Sequence, residues 1–209
     1  MSIKEIPTLS SVKPRSKTAL KGAEIDSLST IFKPSVTTGN VVTVIPGAYY
    51  IDDVLNAEEC SCLCRFVDQS NSLSFWSEKG RDDAEALAFR NADTIEFDSE
   101  YIAEIIWSRI KDKVLLVPGM FEILIPEEEF DESGERQTAD ARWQVDICGT
   151  WRPIGLNNDM LLAKYPSFGS FAPHTDGSTV HNFNKRSFHS VVVCQLLGIV
   201  GCISLDFSV

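Results

Sequence analysis

A chain of 209 residues can bury a substantial core, and 44% hydrophobic with 23% charged residues is typical of a folded, soluble protein, which excludes a wholly disordered or fibrous chain. The formal net charge of −11 argues against a nucleic-acid partner, because affinity for a phosphate backbone comes largely from Lys and Arg. The six cysteines are too few and too irregular for a disulfide framework, and no apolar leader opens the chain, so we expect an intracellular protein.

Residues 1–40 form the first distinct segment of the chain. They are rich in Ser, Thr, Lys and Pro and bury little apolar surface, so we predict a flexible N-terminal tail. The composition changes at residue 41, and we predict one folded domain over residues 41–209. Its first elements are a strand and a turn, because residues 41–52 combine β-branched and aromatic residues with a Pro46-Gly47 pair.

Two helices are predicted next. Asn56 precedes Glu59 by three residues, which is the pattern of a capping box at a helix N-terminus. Asp98 or Ser99 can cap the second helix. Apolar residues recur after both caps at helical spacing, so each helix has one buried face. These positions are Leu63, Phe66, Val67, Ile102, Ile105, Ile106 and Ile110.

The first predicted helix contains three closely spaced cysteines, Cys60, Cys62 and Cys64. Their spacing lacks the CxxC pattern and the distant second pair of a structural zinc site. We therefore interpret them as buried helix cysteines.

The second half of the chain predicts strands. Residues 126–140 are acidic and predict a solvated loop. Strands are predicted over residues 142–156 and 160–168, and one or two further strands are predicted over residues 187–207. Two helices followed by short strands predict an α+β domain or a barrel with helical cover. The apolar run 191–203 is too short to span a bilayer as a helix, so no transmembrane segment is expected.

His174 and Asp176 flank a single residue at the end of a strand-like run. Side chains two positions apart in an extended chain lie on the same face, so an imidazole nitrogen and a carboxylate oxygen could reach one metal ion. Iron(II) sites that react with oxygen use two histidines and one carboxylate, so one more histidine is needed. The pattern also occurs by chance as a hydrogen-bonded loop pair, and the residues alone leave that alternative open.

The residues around this pair follow a longer pattern, consisting of Tyr165, Gly169, Phe171, Pro173, His174 and Asp176. In this pattern the chain resembles the prolyl 4-hydroxylase-like branch of the iron(II)/2-oxoglutarate dioxygenases. In that family a strand ending in Tyr leads through a Gly-containing turn to an aromatic residue and then to Pro-His-x-Asp. The resemblance extends weakly upstream and covers most of residues 41–193.

The resemblance implies an α+β fold built on a double-stranded β-helix, jelly-roll or cupin-like, with supporting N-terminal helices. It implies a hydroxylase that uses Fe(II), 2-oxoglutarate and L-ascorbate on an unknown protein or small-molecule substrate. His174 and Asp176 would bind the iron, and Tyr165 would line the cosubstrate pocket. A tyrosine in a strand most often packs its ring in the core and forms one hydrogen bond with its hydroxyl, so a purely structural role of Tyr165 is the alternative.

The chain departs from the family pattern after Asp176. Family members place a second histidine fifty or more residues later, followed by a Lys or Arg that pairs with 2-oxoglutarate, but no Lys or Arg follows Arg186. His181 is expected in a flexible loop, and His189 is expected to serve the core or an interstrand hydrogen bond. We therefore expect a C-terminally truncated domain with open sheet edges and an incomplete core, which the apolar segment 191–207 would destabilise further if it found no partner.

Two other functions are considered beside the dioxygenase. The first is a non-catalytic truncated isoform or fragment that lacks the distal His and the cation for 2-oxoglutarate, yet keeps a weak two-ligand metal site. The second is a zinc-dependent hydrolase, which needs three protein ligands and a general base. No HExxH motif accompanies the His174 pair, so the hydrolase ranks last.

Overall fold

The computed structural model describes residues 23–35, 37–45, 48–117, 119–120, 122–125, 149–174, 176, 179–182, 184–194 and 199–208. The helices within these residues are α1 (Ala23–Ser29), α2 (Ala57–Gln69), α3 (Ala84–Phe89) and α4 (Glu100–Val114). The strands are β1 (Val41–Ile45), β2 (Ala48–Ile51), β3 (Ser74–Phe75), β4 (Asp93–Asp98), β5 (Ile123–Ile125), β6 (Gly149–Lys164), β7 (Val180–Asn182), β8 (Lys185–Cys194) and β9 (Ile199–Ser208). The predicted acidic loop over residues 126–140 lies outside the described residues.

Both predicted helices are confirmed, including their N-terminal caps. The Asn56 side chain accepts a hydrogen bond from the Glu59 amide, and the Glu59 carboxylate accepts one from the Asn56 amide, which completes the capping box of α2. Ser99 caps α4 by accepting from the Ile102 amide. Both helices bury the apolar face that the spacing predicts, since Leu63 and Ile102 belong to the core.

The segment predicted as a flexible tail differs from that expectation over its last residues. Residues 1–22 lie outside the described residues, but α1 follows them and packs against the domain. Leu28 is fully buried, Phe32 is 4% exposed, and the Tyr101 hydroxyl donates a hydrogen bond to the Phe32 carbonyl at 3.0 Å. The cause is the spacing of Ile25, Leu28, Ile31 and Phe32, which gives this polar stretch one apolar face.

The described strands form two antiparallel sheets. β1 and β2 pair antiparallel, which confirms the predicted strand, whereas the turn predicted at Pro46-Gly47 lies outside the described residues. The other seven strands form one sheet in the order β3-β4-β6-β9-β8-β7, with β5 paired to the start of β6. The described part of the protein thus combines helices with antiparallel sheets, and the double-stranded β-helix stays a prediction.

β6 is one continuous strand of 16 residues where the sequence predicted a break at Gly, Pro and Asn. Its register against β9 shifts twice, between Pro153 and Gly155 and again between Leu156 and Met160. Within the second shift, the Asn157 side chain accepts a hydrogen bond from the Asp159 amide at 3.1 Å. The residues that favour turns are therefore accommodated as irregularities of a long strand.

The one or two strands predicted over residues 187–207 are confirmed by β8 and β9. β9 lies between β6 and β8 and pairs antiparallel with both, with Ile203 opposite Met160 on one side and Val191 on the other. Both edges of β9 are hydrogen-bonded, so this apolar segment finds partner strands within the chain.

The main core lies between the helices and the strands β4 and β6. It is formed by Leu28, Phe32, Leu63, Cys64, Val67, Ile95, Phe97, Ile102, Ala103, Ile105, Ile106, Ile110, Val114, Trp151, Leu156, Met160 and Leu162. Cys64 is buried, as interpreted from the sequence, whereas Cys60 and Cys62 are half-buried, and none of the three forms a disulfide within the described residues. No helix within the described ranges combines the length and the hydropathy needed to cross a membrane.

A buried ion pair ties three segments of this core together. Arg109 on α4 and Glu59 on α2 have side chains only 1% and 6% exposed. Arg109 also donates to the main-chain carbonyls of Lys33 and Val54. Burial raises the pKa of Glu59, but the hydrogen bonds from Arg109 and from the Asn56 amide outweigh it and hold that pKa below its usual 4.5.

Candidate functional site

A tight turn after β6 starts the segment that contains the predicted metal ligands. The Gly169 amide donates to the Pro166 carbonyl at 2.7 Å, and Phe168 has a φ of +66° and a fully exposed side chain. A Cβ at Gly169 would lie 2.9 Å from the carbonyl oxygens of Pro166 and Asn91. Only glycine fits between these two main-chain atoms, so Gly169 lets the turn dock on the segment before β4.

Main-chain hydrogen bonds fix the next residues against the end of α3. The Asn91 amide donates to the Ser170 carbonyl at 2.8 Å, and the Ala172 amide donates to the Phe89 carbonyl at 2.7 Å. Arg90 and Phe171 form an isolated antiparallel bridge between these two bonds. The sequence predicted neither α3 nor this pairing, because a contact between residues about eighty positions apart leaves no local periodicity.

An aromatic cluster surrounds this pairing. Trp76 and Phe89 are buried, with ring centroids 5.5 Å apart, and the Trp76 indole N–H donates to the Arg90 carbonyl at 2.6 Å. Phe89 meets Phe171 edge to face at 5.4 Å. The His174 ring stacks on Phe171, with centroids 3.8 Å apart and planes inclined by 23°. The position of the imidazole is therefore set by two phenylalanine rings.

His174 and Asp176 lie close together, although neither lies in a described strand, so the alternation expected of a strand is not what brings them together. The His174 Nδ1 atom lies 2.9 Å from the Ala172 carbonyl oxygen, and Nε2 lies 3.1 Å from Asp176 Oδ1. A carbonyl oxygen can only accept, so Nδ1 donates its proton to the Ala172 carbonyl and Nε2 faces the carboxylate. The approach of Nε2 to Oδ1 is favourable only with a proton or a cation between them.

The separation of these two atoms fits adjacent ligands of one metal ion. With metal–ligand bonds of about 2.1 Å at right angles, a nitrogen and an oxygen lie about 3.0 Å apart. The observed 3.1 Å matches that edge. The bond from Nδ1–H to the Ala172 carbonyl is the type of outer contact that fixes the tautomer of a metal-binding histidine. The two side chains are therefore compatible with adjacent ligands of one metal ion and equally with a direct hydrogen bond between them.

Tyr165 lies on the same side of this segment as the guanidinium of Arg90. The Cζ atom of Arg90 is 5.8 Å from the Tyr165 ring centroid and 4.4 Å from that of Phe171. Tyr165 is half-buried. The structure therefore brings the predicted cosubstrate residue next to a cation that sequence reasoning did not select.

The third metal ligand is not brought to the pair within the residues that the structure describes. His181 lies on β7 and His189 on β8, and no group of three or more His, Cys, Asp or Glu residues in the described ranges is arranged to hold a metal ion. Burial lowers the pKa of His189 below its usual 6.5, which agrees with a core position for that ring.

Comparisons with known proteins add no assignment to this geometry. No family model matches the chain, and neither the curated proteins nor the solved structures contain a significant match. The chemistry of the site therefore follows only from the residues that form it.

Proposed function

We propose that this chain carries a mononuclear metal site of the iron(II)/2-oxoglutarate dioxygenase type, in which His174 and Asp176 are two of the protein ligands. The proposed activity is hydroxylation of an unknown protein or small-molecule substrate, with L-ascorbate as a further cofactor. The single observation that supports it is the convergence of His174 Nε2 and Asp176 Oδ1 at 3.1 Å while Nδ1–H is held by the Ala172 carbonyl.

Each residue of the pair has a defined task in this proposal. His174 would offer its Nε2 atom to the metal in an orientation that is already fixed, because its ring is stacked on Phe171 and hydrogen-bonded to the Ala172 carbonyl. Asp176 supplies negative charge, and its side chain is 45% exposed, so the open side of the site faces solvent. Tyr165 would line the pocket of 2-oxoglutarate. When bound, iron(II) and 2-oxoglutarate couple the reduction of oxygen to the hydroxylation of a carbon atom.

A non-catalytic metal site is the second candidate. The observation that favours it is that the described residues bring only two ligands together and leave His181 and His189 on other strands. A metal held by two protein ligands keeps more positions for water and exchanges more easily than one held by three. This candidate predicts metal binding without turnover of 2-oxoglutarate.

The test is an anaerobic titration of the purified full chain with Fe(II) and 2-oxoglutarate, followed by visible absorption. A weak metal-to-ligand charge-transfer band is the expected result, and His174→Ala and Asp176→Asn should abolish it. The matched control is His181→Ala, which removes an exposed histidine on β7 and should leave the band unchanged.

Metal binding measured separately distinguishes the two candidates. Mn(II) binding followed by electron paramagnetic resonance should be lost in His174→Ala in both cases. Mn(II) binding without the charge-transfer band supports the non-catalytic site. Equal Mn(II) binding by wild type and His174→Ala contradicts both candidates.

A further inference from the structure

A cavity of about 500 Å³ lies between α1 and α2, and its lining contains none of the residues of the candidate metal site. Its volume is within the range of roughly 300–1,000 Å³ that is typical of small-molecule sites. Ile31 and Phe66 supply apolar lining, and both side chains also pack against the main core. Ser27 and Arg65 line the cavity and are exposed, so it is open to solvent.

Two side chains of opposite charge line this cavity without neutralising each other. Glu24 extends from α1 and Arg65 from α2, and no ion pair among the described residues joins them. The Arg65 guanidinium donates to the Cys62 sulfur, 3.0 Å from Nη2. Sulfur is a weak acceptor, so most of the five N–H donors of this guanidinium remain for another partner.

Two hydroxyl groups orient the Glu24 carboxylate. The Ser72 hydroxyl donates to Oε2 at 3.0 Å, and the Ser70 hydroxyl donates to Oε1 at 3.4 Å. An ionised carboxylate has about four acceptor positions, so two remain for a donor in the cavity. Glu24 is half-buried, and a cation bound there is attracted more strongly than at a fully exposed carboxylate.

A ligand that satisfies both side chains carries an ammonium and a carboxylate on one small framework. The ammonium would donate to Glu24, and the planar carboxylate matches the guanidinium fork of Arg65 with two hydrogen bonds. The apolar lining adds a preference for a ligand with an apolar side chain. We infer that this cavity binds a free amino acid whose ammonium lies at Glu24, whose carboxylate lies at Arg65 and whose side chain contacts Ile31 and Phe66.

The inference is tested by calorimetric titration of the full chain with L-phenylalanine, which carries both charges and an apolar side chain. Two analogues each remove one charge, since N-acetyl-L-phenylalanine has no ammonium and L-phenylalaninamide has no carboxylate. Each should bind at least about fivefold more weakly than L-phenylalanine, because one charge-assisted contact is lost. The amide also represents a peptide N-terminus, so equal binding of the amide and the free amino acid would contradict the inference.

Substitution of each charged side chain should reproduce the loss of its ligand group. Glu24→Gln should weaken L-phenylalanine binding at least about fivefold and leave the binding of N-acetyl-L-phenylalanine unchanged, because that analogue has no ammonium. Arg65→Met should weaken L-phenylalanine binding to a similar extent and leave the binding of L-phenylalaninamide unchanged. This crossed pattern follows from direct contacts, whereas a general loss of structure would weaken all three compounds in both variants.

Two matched controls remove charges that do not line the cavity. Asp68→Asn removes an exposed carboxylate of α2 that pairs with Lys164, and Arg81→Met removes an arginine that pairs with Asp93. Both should change L-phenylalanine affinity less than about twofold, in line with the small effect of exposed ion pairs. Circular dichroism verifies that the variants are folded. No binding of L-phenylalanine by the wild-type chain at millimolar concentrations, or equal losses in Glu24→Gln and Asp68→Asn, overturns the inference.

Mn(II) affinity separates this inference from the proposed function. Glu24→Gln and Arg65→Met should bind Mn(II) like wild type, because neither residue belongs to the segment that carries His174 and Asp176. Absence of Mn(II) binding in wild type contradicts the proposed function alone, since the amino-acid site uses no residue of the metal pair.

Discussion

Replacement of Arg109 by methionine should destabilise the domain more than any change to its exposed ion pairs. Arg109 makes four hydrogen bonds, two to the Glu59 carboxylate at 2.6 and 2.9 Å and two to main-chain carbonyls of Val54 and Lys33. Methionine has a similar volume but removes the charge, so Glu59 becomes a buried carboxylate without its cation. Breaking a buried pair in this way costs about 3–5 kcal/mol. For a chain of this size that lowers the unfolding midpoint temperature by roughly 6–20 °C.

Urea unfolding followed by far-ultraviolet circular dichroism measures this effect. The expected result is a lower midpoint with an unchanged slope, which indicates a change in stability and not in the compactness of either state. Arg152→Met is the matched control, because the Arg152–Glu122 pair is exposed and should contribute less than about 1 kcal/mol. The double variant Glu59→Met with Arg109→Met should be more stable than Arg109→Met alone, since the uncompensated charge is gone. Equal losses in Arg109→Met and Arg152→Met would refute the reasoning.

Three further predictions follow from the same structure. Because the pKa of Glu59 is below 4.5 in the folded state, the Glu59 carboxylate contributes fully to the free energy of unfolding above pH 4.5, and this contribution is lost as the pH falls through the pKa of the folded state. Glu59→Gln should therefore weaken the decrease of the free energy of unfolding at acid pH, as measured by chemical unfolding. Gly169→Ala should lower both stability and Mn(II) affinity, because the added Cβ lies 2.9 Å from the Asn91 carbonyl oxygen; unchanged Mn(II) affinity would show that the turn does not position the ligands. The pKa of His189 is below 6.5 in the folded state, so as the pH drops below 6.5 the unfolded chain takes up the proton more readily than the folded chain, and the free energy of unfolding falls. His189→Gln should remove this pH dependence and leave Mn(II) binding unchanged. Loss of Mn(II) binding in this variant would instead identify His189 as the third ligand.

The helices could be predicted from the sequence because their signals are local. The capping box of Asn56 and Glu59 and the cap at Ser99 each lie within four residues of the backbone groups they satisfy. The helical spacing of Ile25, Leu28, Ile31 and Phe32 is a local signal of the same kind and would also have predicted α1. The overall polarity of residues 1–40 obscured that short apolar face, which is why the segment was predicted as a tail.

The strands were harder to predict because their bounds depend on the strands they pair with, and not only on the local sequence. The Gly, Pro and Asn residues of β6 favour turns locally, yet β9 pairs with β6 on both sides of each irregularity and keeps it continuous. The partner strands of the C-terminal segment could not be identified from its apolar composition. A run of apolar residues indicates burial but does not indicate which strands pair with it.

The closeness of His174 and Asp176 is favoured by their two-residue spacing, but not through the predicted strand alternation, since neither lies in a described strand. The environment of the pair could not be predicted, because Phe89 and Arg90 reach it from a distant part of the chain through a hydrogen bond to Ala172 and a bridge to Phe171. No local pattern in residues 84–91 indicates that they contact residues 170–174. The position of the Arg90 guanidinium over the Phe171 ring is therefore visible only in the fold.

Under the proposed function, these contacts would affect metal binding and turnover differently. The segment from Ser170 to His174 is held by Phe89, Arg90 and Asn91, through main-chain bonds of 2.7 and 2.8 Å and aromatic contacts. None of these contacts involves β7 or β8, the strands that carry His181 and His189. His174 is thus positioned independently of the other two histidines. In that proposal, metal affinity reports on the α3 side of the site, and turnover of 2-oxoglutarate reports on whether a third ligand reaches the metal.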